Sequence, residues 1–514
     1  MAALTMYLQS ILSLSINAST LALGIVGYTS ALVAYRLWFS PLSKFPGSPL
    51  AKATFWYEFY YDWIKPGQYY LKIREMHQTY GPVIQITPEE IHVLDPAHYP
   101  RIFVTGGVRK SDSYKRFFRG TPFEGYTSMI RKHDTYRLMR DPMQRFFSTS
   151  SIKQVEGVVV SRIKTFRERL AEYEDTGVPV NLSFALMSLS SDVMSAVVCE
   201  TPTNYLADKK FNAAWFKARR KGVIAVPLFS RLPWPVRPLV LRTLELVSSY
   251  LPSSKQYELP GQKTLNAQMR PSSDVKFDGT DRTKTTKQRL GEDTYSRAGE
   301  LIQQAAIDIP SYVLQAIVTY LALDEERCRT LRTELAAFMK NSHDSNELDR
   351  SWQSARGRLP YLEACIKEGL RLNAGVLRRS VRVSPDAALQ LDGWTIPKGT
   401  PVGMSTYWMH MDPELFPDPH TFIPERWLHA DRNQCTPQYF VPFGKGSRDC
   451  LGQSLAQMYI HYVLIELFRP GAPTLQPFET DESDVVLKHG YLFSLPSLDS
   501  KGVKVLVKSN GRHA

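Results

Sequence analysis

The stretch that most restricts the fold is Phe443-Gly-Lys-Gly-Ser-Arg-Asp-Cys-Leu-Gly452, where three glycines and an arginine surround one cysteine. Gly444, Gly446 and Gly452 let the backbone approach a flat ligand where a Cβ would collide. The run that follows Cys450, Leu-Gly-Gln-Ser-Leu-Ala-Gln-Met-Tyr-Ile-His-Tyr-Val-Leu-Ile, has helical periodicity. A helix start offers unpaired N–H groups and a positive dipole end, so a thiol held there is biased toward thiolate. Arg448 adds a permanent cation whose fork suits a carboxylate. A bare cysteine in a glycine-rich turn is ordinarily a buried structural residue. The full spacing F-x-x-G-x-R-x-C-x-G points instead to a binding loop.

The other end of the chain sets a second constraint. No charged side chain precedes Arg36, and the uncharged run closes with Leu21-Ala-Leu-Gly-Ile-Val-Gly-Tyr-Thr-Ser-Ala-Leu-Val-Ala-Tyr35. A run well over ~18 residues is long enough to cross a bilayer. A cleaved signal peptide would place its basic residues first; here Arg36, Lys44 and Lys52 follow the apolar segment. Positive flanks stay cytoplasmic, so a retained anchor with a cytoplasmic body is expected. The expected division is an anchor over residues 1–38 with its helix near 16–38, a proline-rich hinge over 39–50, and one catalytic domain over 51–514. Asn17-Ala-Ser19 is a glycosylation sequon, but it lies in or beside the membrane.

The body has ordinary globular composition, 43% hydrophobic and 22% charged, which suits one large core. Cys199, Cys328, Cys365, Cys435 and Cys450 are odd in number and widely spaced, against a disulfide framework and a structural zinc site. The formal charge of +13 admits nucleic acid, an anionic membrane or an acidic protein partner. No basic stripe with interleaved aromatics supports the first, so no nucleic-acid partner is expected. Gly81 to Pro88 and Ile91 to Leu94 alternate as paired strands, while Val155 to Tyr173, Ser183 to Cys199 and Glu300 to Leu321 show helical periodicity. Asp278 to Lys287 reads as a solvated loop. The expected class is mainly α with small β-sheets. No glycine-rich phosphate loop follows a strand, so electrons for any redox chemistry must come from elsewhere.

A thiolate, a close-approach surface and a carboxylate clamp together suit haem, which has a metal, a flat face and propionates. On these residues the chain resembles the cytochrome P-450 family of haem-thiolate monooxygenases, from anchor and hinge to the last strands. The resemblance implies that fold with an N-terminal transmembrane helix, and haem b whose iron takes its axial thiolate from Cys450. Phe443 belongs to the same loop. It also implies that Glu368-Gly-Leu-Arg371 pairs with Arg426, in Phe422-Ile-Pro-Glu-Arg-Trp427, to brace the haem loop. Alone, such an i,i+3 pair is a surface bridge worth a few tenths of a kcal/mol. Arg378 and Arg140 are the implied propionate partners, with Tyr136 standing where tryptophan is common.

The family pattern breaks over Ala305-Ala-Ile-Asp-Ile-Pro-Ser311. Asp308 keeps the acidic position of the oxygen-activating helix and is the candidate catalytic residue. Ile309 occupies the alcohol position and can neither donate nor accept a proton. Pro310 has no N–H, so the Ala306 carbonyl loses its helical partner and a bend is expected. A water held by that carbonyl and Asp308, or the Ser311 hydroxyl, could replace the alcohol. A neutral substitution in a normal hydroxylase and altered oxygen handling both remain open.

The resemblance therefore implies a membrane-anchored monooxygenase that hydroxylates, epoxidises or repeatedly oxidises an apolar secondary metabolite. Terpenoids and polyketides are the expected classes, and the chain resembles filamentous-fungal, trichodiene-oxygenase-like members. Dioxygen and a separate NADPH-dependent reductase are the implied partners, with a single-pass location in the endoplasmic reticulum. Lys445 and the basic excess suit an acidic redox partner. Ile307, Ile309, Val376 and Leu377 are the expected substrate-facing aliphatics. The Ile309-Pro310 departure also admits a haem-thiolate isomerase or dehydratase that consumes no reductant.

Overall fold

The computed structural model describes residues 18–104, 109–114, 116, 130–198, 202–231, 292–342, 352–373, 375–428 and 437–510. The longer helices are α1 (Ala18–Ala34), α2 (Tyr69–Tyr80), α3 (His133–Phe146), α4 (Thr149–Ala171), α5 (Leu182–Val198), α6 (Ala213–Arg231), α7 (Glu292–Leu323), α8 (Glu325–Ser342), α9 (Pro360–Leu372) and α10 (Gln453–Phe468). The strands are short: β1 (Val83–Gln85), β2 (Ile91–Val93), β3 (Asp112–Ser113), β4 (Val180–Asn181), β5 (Ser380–Val383), β6 (Leu389–Leu391), β7 (Trp394–Ile396), β8 (Pro401–Met404), β9 (Thr474–Pro477), β10 (His489–Gly490), β11 (Ser494–Leu495) and β12 (Lys504–Lys508). This is the mainly helical architecture with small sheets that the periodicities imply. Asp278 to Lys287 and Asn17 lie outside the described residues.

Two helices form the centre. From Val313 to Leu321, α7 is buried at every position, and α10 buries nine of its sixteen residues. A helix apolar all round must be buried on all sides, and both pack in the main hydrophobic cluster with α4, α5 and α9. Polar side chains are placed where a neighbour answers them. Ser190 of α5 bonds Ser311 of α7 at 2.8 Å and Tyr459 of α10 at 2.9 Å, fixing the three helices in register. Pro310 does not end α7, which runs unbroken from Glu292 to Leu323. The Ser311 hydroxyl donates to the Ile307 carbonyl at 2.5 Å within that turn.

The five-stranded sheet has the order β1-β2-β8-β5-β3. β1 and β2 pair antiparallel with Val83 opposite Val93, and β5 pairs antiparallel with β8 with Arg382 opposite Val402. Burial alternates along β5, so Val381 and Val383 enter the core while Ser380 and Arg382 share the other face.

The proline-rich segment is no free hinge. Phe45 is fully buried, the Gln85 N–H donates to the Pro46 carbonyl at 2.7 Å, and Lys52 holds the Ser43 and Phe45 carbonyls. An aromatic between the prolines docks the segment onto β1. Ahead of it, α1 continues through a wide turn over Tyr35–Phe39 and exposes Leu21, Leu23, Ile25 and Val26. The span Thr20–Phe39 is long and apolar enough to cross a membrane. The equally apolar span Ala305–Leu323 is mostly buried in the protein and is core.

Candidate active site

Cys450 sits two residues before the Gly452 cap of α10. Its N–H donates to the Phe443 carbonyl at 2.8 Å, closing the 443–450 loop on itself. The thiol is exposed although it lies deep in the protein, the combination produced by a side chain that opens on internal space. Burial pushes its pKa up, against the expected thiolate bias; the Gly452 N–H and Arg140 only partly oppose this, and Asp449 adds to it. The dipole end is present, but desolvation outweighs it; a bound metal cation would favour the thiolate.

The glycines of the loop do three different jobs. Gly444 holds φ +69°, a conformation that side chains rarely adopt. At Gly446 (φ +86°) a Cβ would meet the Val104 and Phe103 carbonyls at 2.5 and 2.7 Å, so this glycine serves packing within the protein rather than a ligand. A Cβ on Gly452 would meet nothing within 4 Å, which leaves that position open to a close-lying flat group.

Three arginines gather beside the loop. Arg140 donates to the Tyr136 hydroxyl at 2.8 Å and to the Asp449 carbonyl at 2.8 Å, and pairs with the Asp449 carboxylate. Arg448 lies 4.0 Å over the Tyr136 ring and donates to the Ile130 and Arg131 carbonyls at 2.8 and 3.0 Å. Arg382 reaches in from β5, 4.9 Å over the Phe103 ring. Among the described residues neither Arg448 nor Arg382 forms an ion pair with a carboxylate. Burial, then Arg382, pulls the Arg448 pKa down to about 10, and burial lowers that of Arg382. Buried cations without counter-ions are costly unless a ligand supplies them. Two such cations beside an internally exposed thiol fit the propionates and iron of haem.

Arg378 is not part of this group. Its guanidinium pairs with Asp62 at 2.8 Å and with Glu58, in a buried network that also holds Arg379, Glu90 and Arg231. Two acids on the Trp56–Ile64 helical turns claim it, and no local pattern announces them. Arg382 was missed for the opposite reason: it looks like one polar residue in a short strand. An arginine inside Ser-Val-Arg-Val, flanked by two core valines, was the available signal.

Glu368, Arg371 and Arg426 do come together. Arg371 donates to both Glu368 oxygens at 2.7 and 3.0 Å, and Arg426 to one at 3.1 Å. Trp427 and the Ile423 N–H complete the acceptor capacity of that carboxylate. Arg371 also holds the His410 carbonyl at 2.9 Å, and the His410 Nε2 accepts from the Val441 N–H at 3.0 Å. The brace thus reaches the cysteine loop through one imidazole.

On α7, Ala305, Ala306 and Ile309 are half-exposed within an otherwise buried stretch, so this face too borders internal space. Ile309 lies against Gly375, whose Cβ would fall 2.7 Å from its Cγ2. Val376 is half-buried. Leu377 is fully buried and packs with Tyr70 and Leu487, and Ile307 is buried in the cluster with Trp215 and Phe216; neither borders that space. Ser311 is fully buried and turned toward α5, which removes it as a stand-in for the missing alcohol. Asp308 is buried and pairs with Arg219 of α6 at 2.5 Å; burial raises its pKa and Arg219 opposes the rise.

Comparison with known proteins agrees with this geometry. The cytochrome P-450 family model matches residues 46–483. The cytochrome P-450 monooxygenase oblB of Cochliobolus heterostrophus is 37% identical over 513 residues, covering 95% of this chain and 96% of the relative. The fusicoccadiene C-8 hydroxylase of Alternaria brassicicola is 33% identical, covering 94% of each chain, and the stellatic acid synthase of Emericella variicolor is 33% identical, covering 93% of each. The chain therefore belongs to the cytochrome P-450 family, monooxygenases that carry haem b on a cysteine thiolate and draw on dioxygen and a redox partner.

Proposed function

We propose that this protein is a membrane-anchored monooxygenase that hydroxylates an apolar terpenoid, with Cys450 as the haem ligand. The observation that carries the ligand assignment is the deep but exposed Cys450 thiol beside two arginines without carboxylate partners among the described residues. Bound haem supplies the iron at which dioxygen is activated, and the thiolate favours O–O cleavage. Arg382, Arg448 and Arg140 would hold the propionates, with Tyr136 orienting Arg140 through its hydroxyl and Arg448 through its ring. Ala305, Ala306, Ile309 and Val376 offer the substrate a wall without charge. Asp308 is the acid available on that helix to hand on a proton, and Ile309 contributes no hydroxyl to the relay.

The names of the relatives support a terpenoid substrate: one acts on fusicoccadiene and another is named for an acid product. Electrons are supplied by a separate NADPH-dependent reductase, and α1 holds the body to the endoplasmic reticulum. The isomerase alternative rests only on Ile309, whereas the relatives named by activity include a hydroxylase.

The test is spectral first. Reduced protein under carbon monoxide is expected to show the red-displaced Soret band of thiolate ligation, and Cys450→Ala is expected to abolish it. A normal band in that variant would remove the assignment. Expression with a reductase and polycyclic terpene hydrocarbons should give oxygenated product with NADPH and dioxygen consumed; product without reductant consumption would favour the isomerase.

A further inference from the structure

We propose that Asp95, His98 and Asp392 form a binding site for a first-row divalent cation of the zinc type, clipping the β6–β7 hairpin to the helical turns after β2. One ligand atom from each of the three lies within 4.8 Å of the others. The residues come from two distant segments. Asp95 caps the turns Pro96–His98 and Tyr99–Ile102, its Oδ1 accepting from the Ala97 N–H at 2.8 Å. Asp392 and Gly393 make the two-residue loop between β6 and β7, where Leu391 faces Trp394 and the loop residues hold φ +49° and +76°. Asp-Gly is an ordinary choice for such a loop, and Asp for such a cap. Turn and cap chemistry thus explain an acid at each position. They do not explain why the two acids converge on one imidazole: the His98 Nε2 lies 2.6 Å from Asp392 Oδ1 and 4.0 Å from Asp95 Oδ2.

His98 is 7% exposed, and its Nδ1 meets no partner among the described residues. The ring's polar attachment is therefore Nε2, aimed between the two carboxylates. Among the described residues neither acid pairs with a lysine or arginine. One ring nitrogen carries at most one proton and serves one carboxylate, so the second is left without a donor from the ring. The group stays negative even with the ring protonated. A divalent cation on the neutral Nε2 and one oxygen of each acid balances both charges, at ligand distances of about 2.0–2.2 Å. Imidazole beside carboxylates suits zinc and its neighbours rather than magnesium or calcium, which favour oxygen ligands. The acid side chains are 42% and 34% exposed, so an ion has a way in and water can complete its shell.

The clip bears on the cysteine loop. Tyr99, Ile102 and Phe103 pack in one cluster with Leu391 and Ile396. The Phe103 and Val104 carbonyls lie against Gly446, and the Ser447 N–H donates to the Val104 carbonyl at 3.1 Å. An ion that fixes His98 to the hairpin stiffens the segment on which that loop rests. None of the three side chains holds haem or substrate, so the site stands independently of the proposed function.

The test titrates the full-length holoprotein with zinc chloride and with magnesium chloride, read calorimetrically. Zinc is expected to saturate one site, with magnesium roughly tenfold weaker or more. Asp95→Asn and Asp392→Asn keep the cap and the turn, so both variants should fold, and each should weaken zinc roughly tenfold or more. No saturable zinc binding, affinity unchanged in both variants, or magnesium as tight as zinc would overturn the proposal. Saturating zinc should also slow haem transfer to apomyoglobin about twofold or more in the native protein but not in Asp392→Asn. Transfer unaltered by bound zinc would overturn the coupling to the cysteine loop.

Discussion

Two arginine clusters lie near the cysteine loop and differ in how their charge is answered. Around Glu368, both arginines and the carboxylate are at most 2% exposed, and each charged group has several partners within the protein. Around Tyr136, Arg382 and Arg448 are deeply placed with backbone carbonyls and aromatic rings for company; the partly exposed Asp449 pairs with Arg140, and Asp112 offsets part of the Arg448 charge without an ion pair. The first cluster is complete without a ligand and acts as a brace. In the second, Arg382 and Arg448 form no ion pair with a carboxylate among the described residues, and that charge is left for a ligand to balance. Sequence spacing alone does not separate the two kinds, because both present arginines in short motifs; completeness of pairing does.

The largest break in that comparison should come from the brace. Glu368→Ala leaves Arg371 and Arg426 buried without their anion, a loss of ~3–5 kcal/mol. Little folded protein is expected on urea titration, and an unchanged midpoint would contradict the brace. Arg378→Ala strips Asp62 of its cation and is expected to cost about 3 kcal/mol of stability, with haem retention unaltered in the protein that folds. Arg382→Ala should do the reverse. Removing an unpaired buried cation leaves the thermal midpoint of the haem-free protein unchanged or higher, while haem affinity falls ~10–100-fold, the loss of one charge-assisted bond worth ~1.5–3 kcal/mol. Measuring both quantities for both variants tests whether pairing distinguishes support from binding.

The brace also has a pH axis. His410 is buried, and burial followed by Arg371 pulls its pKa down to about 3, so the fold holds it neutral with Nε2 accepting from Val441. The unfolded chain takes up a proton near the ordinary value of about 6.5. Unfolded protein therefore binds more protons between those values, and this contribution is complete above about pH 6.5 and lost as pH falls toward 3. The expected slope is ~1.4 kcal/mol per pH unit below about pH 6, read from urea midpoints. His410→Phe should reduce the slope by about that amount whatever its effect on absolute stability, with the buried His77 and His92 supplying what remains. The smallest effect belongs to Ile309→Thr, within about 1 kcal/mol in stability; its readout is coupling of NADPH to product. A rise in coupling would show that the isoleucine had weakened the proton relay.

Much of the site was legible because it is local. The loop 443–452, the helix that follows it and the i,i+3 pair of Glu368 and Arg371 are each contained in a few consecutive residues. Gly446 shows the limit of such reading: its position in the motif was clear, but its need for glycine comes from the carbonyls of Phe103 and Val104, more than three hundred residues away. Ser311 is similar, since its hydroxyl is claimed by α5 and by its own helix.

By itself the sequence determined the membrane-length apolar run, the helical class, the cysteine loop and the loss of the alcohol at Ile309, all set by residue type and short-range spacing. Tertiary structure alone decided that Arg382 rather than Arg378 joins the loop, that Asp308 answers Arg219, and that the proline segment docks through Phe45. These outcomes depend on which charge or ring meets which partner across the fold. Such meetings are fixed by packing of distant segments, which no local periodicity encodes.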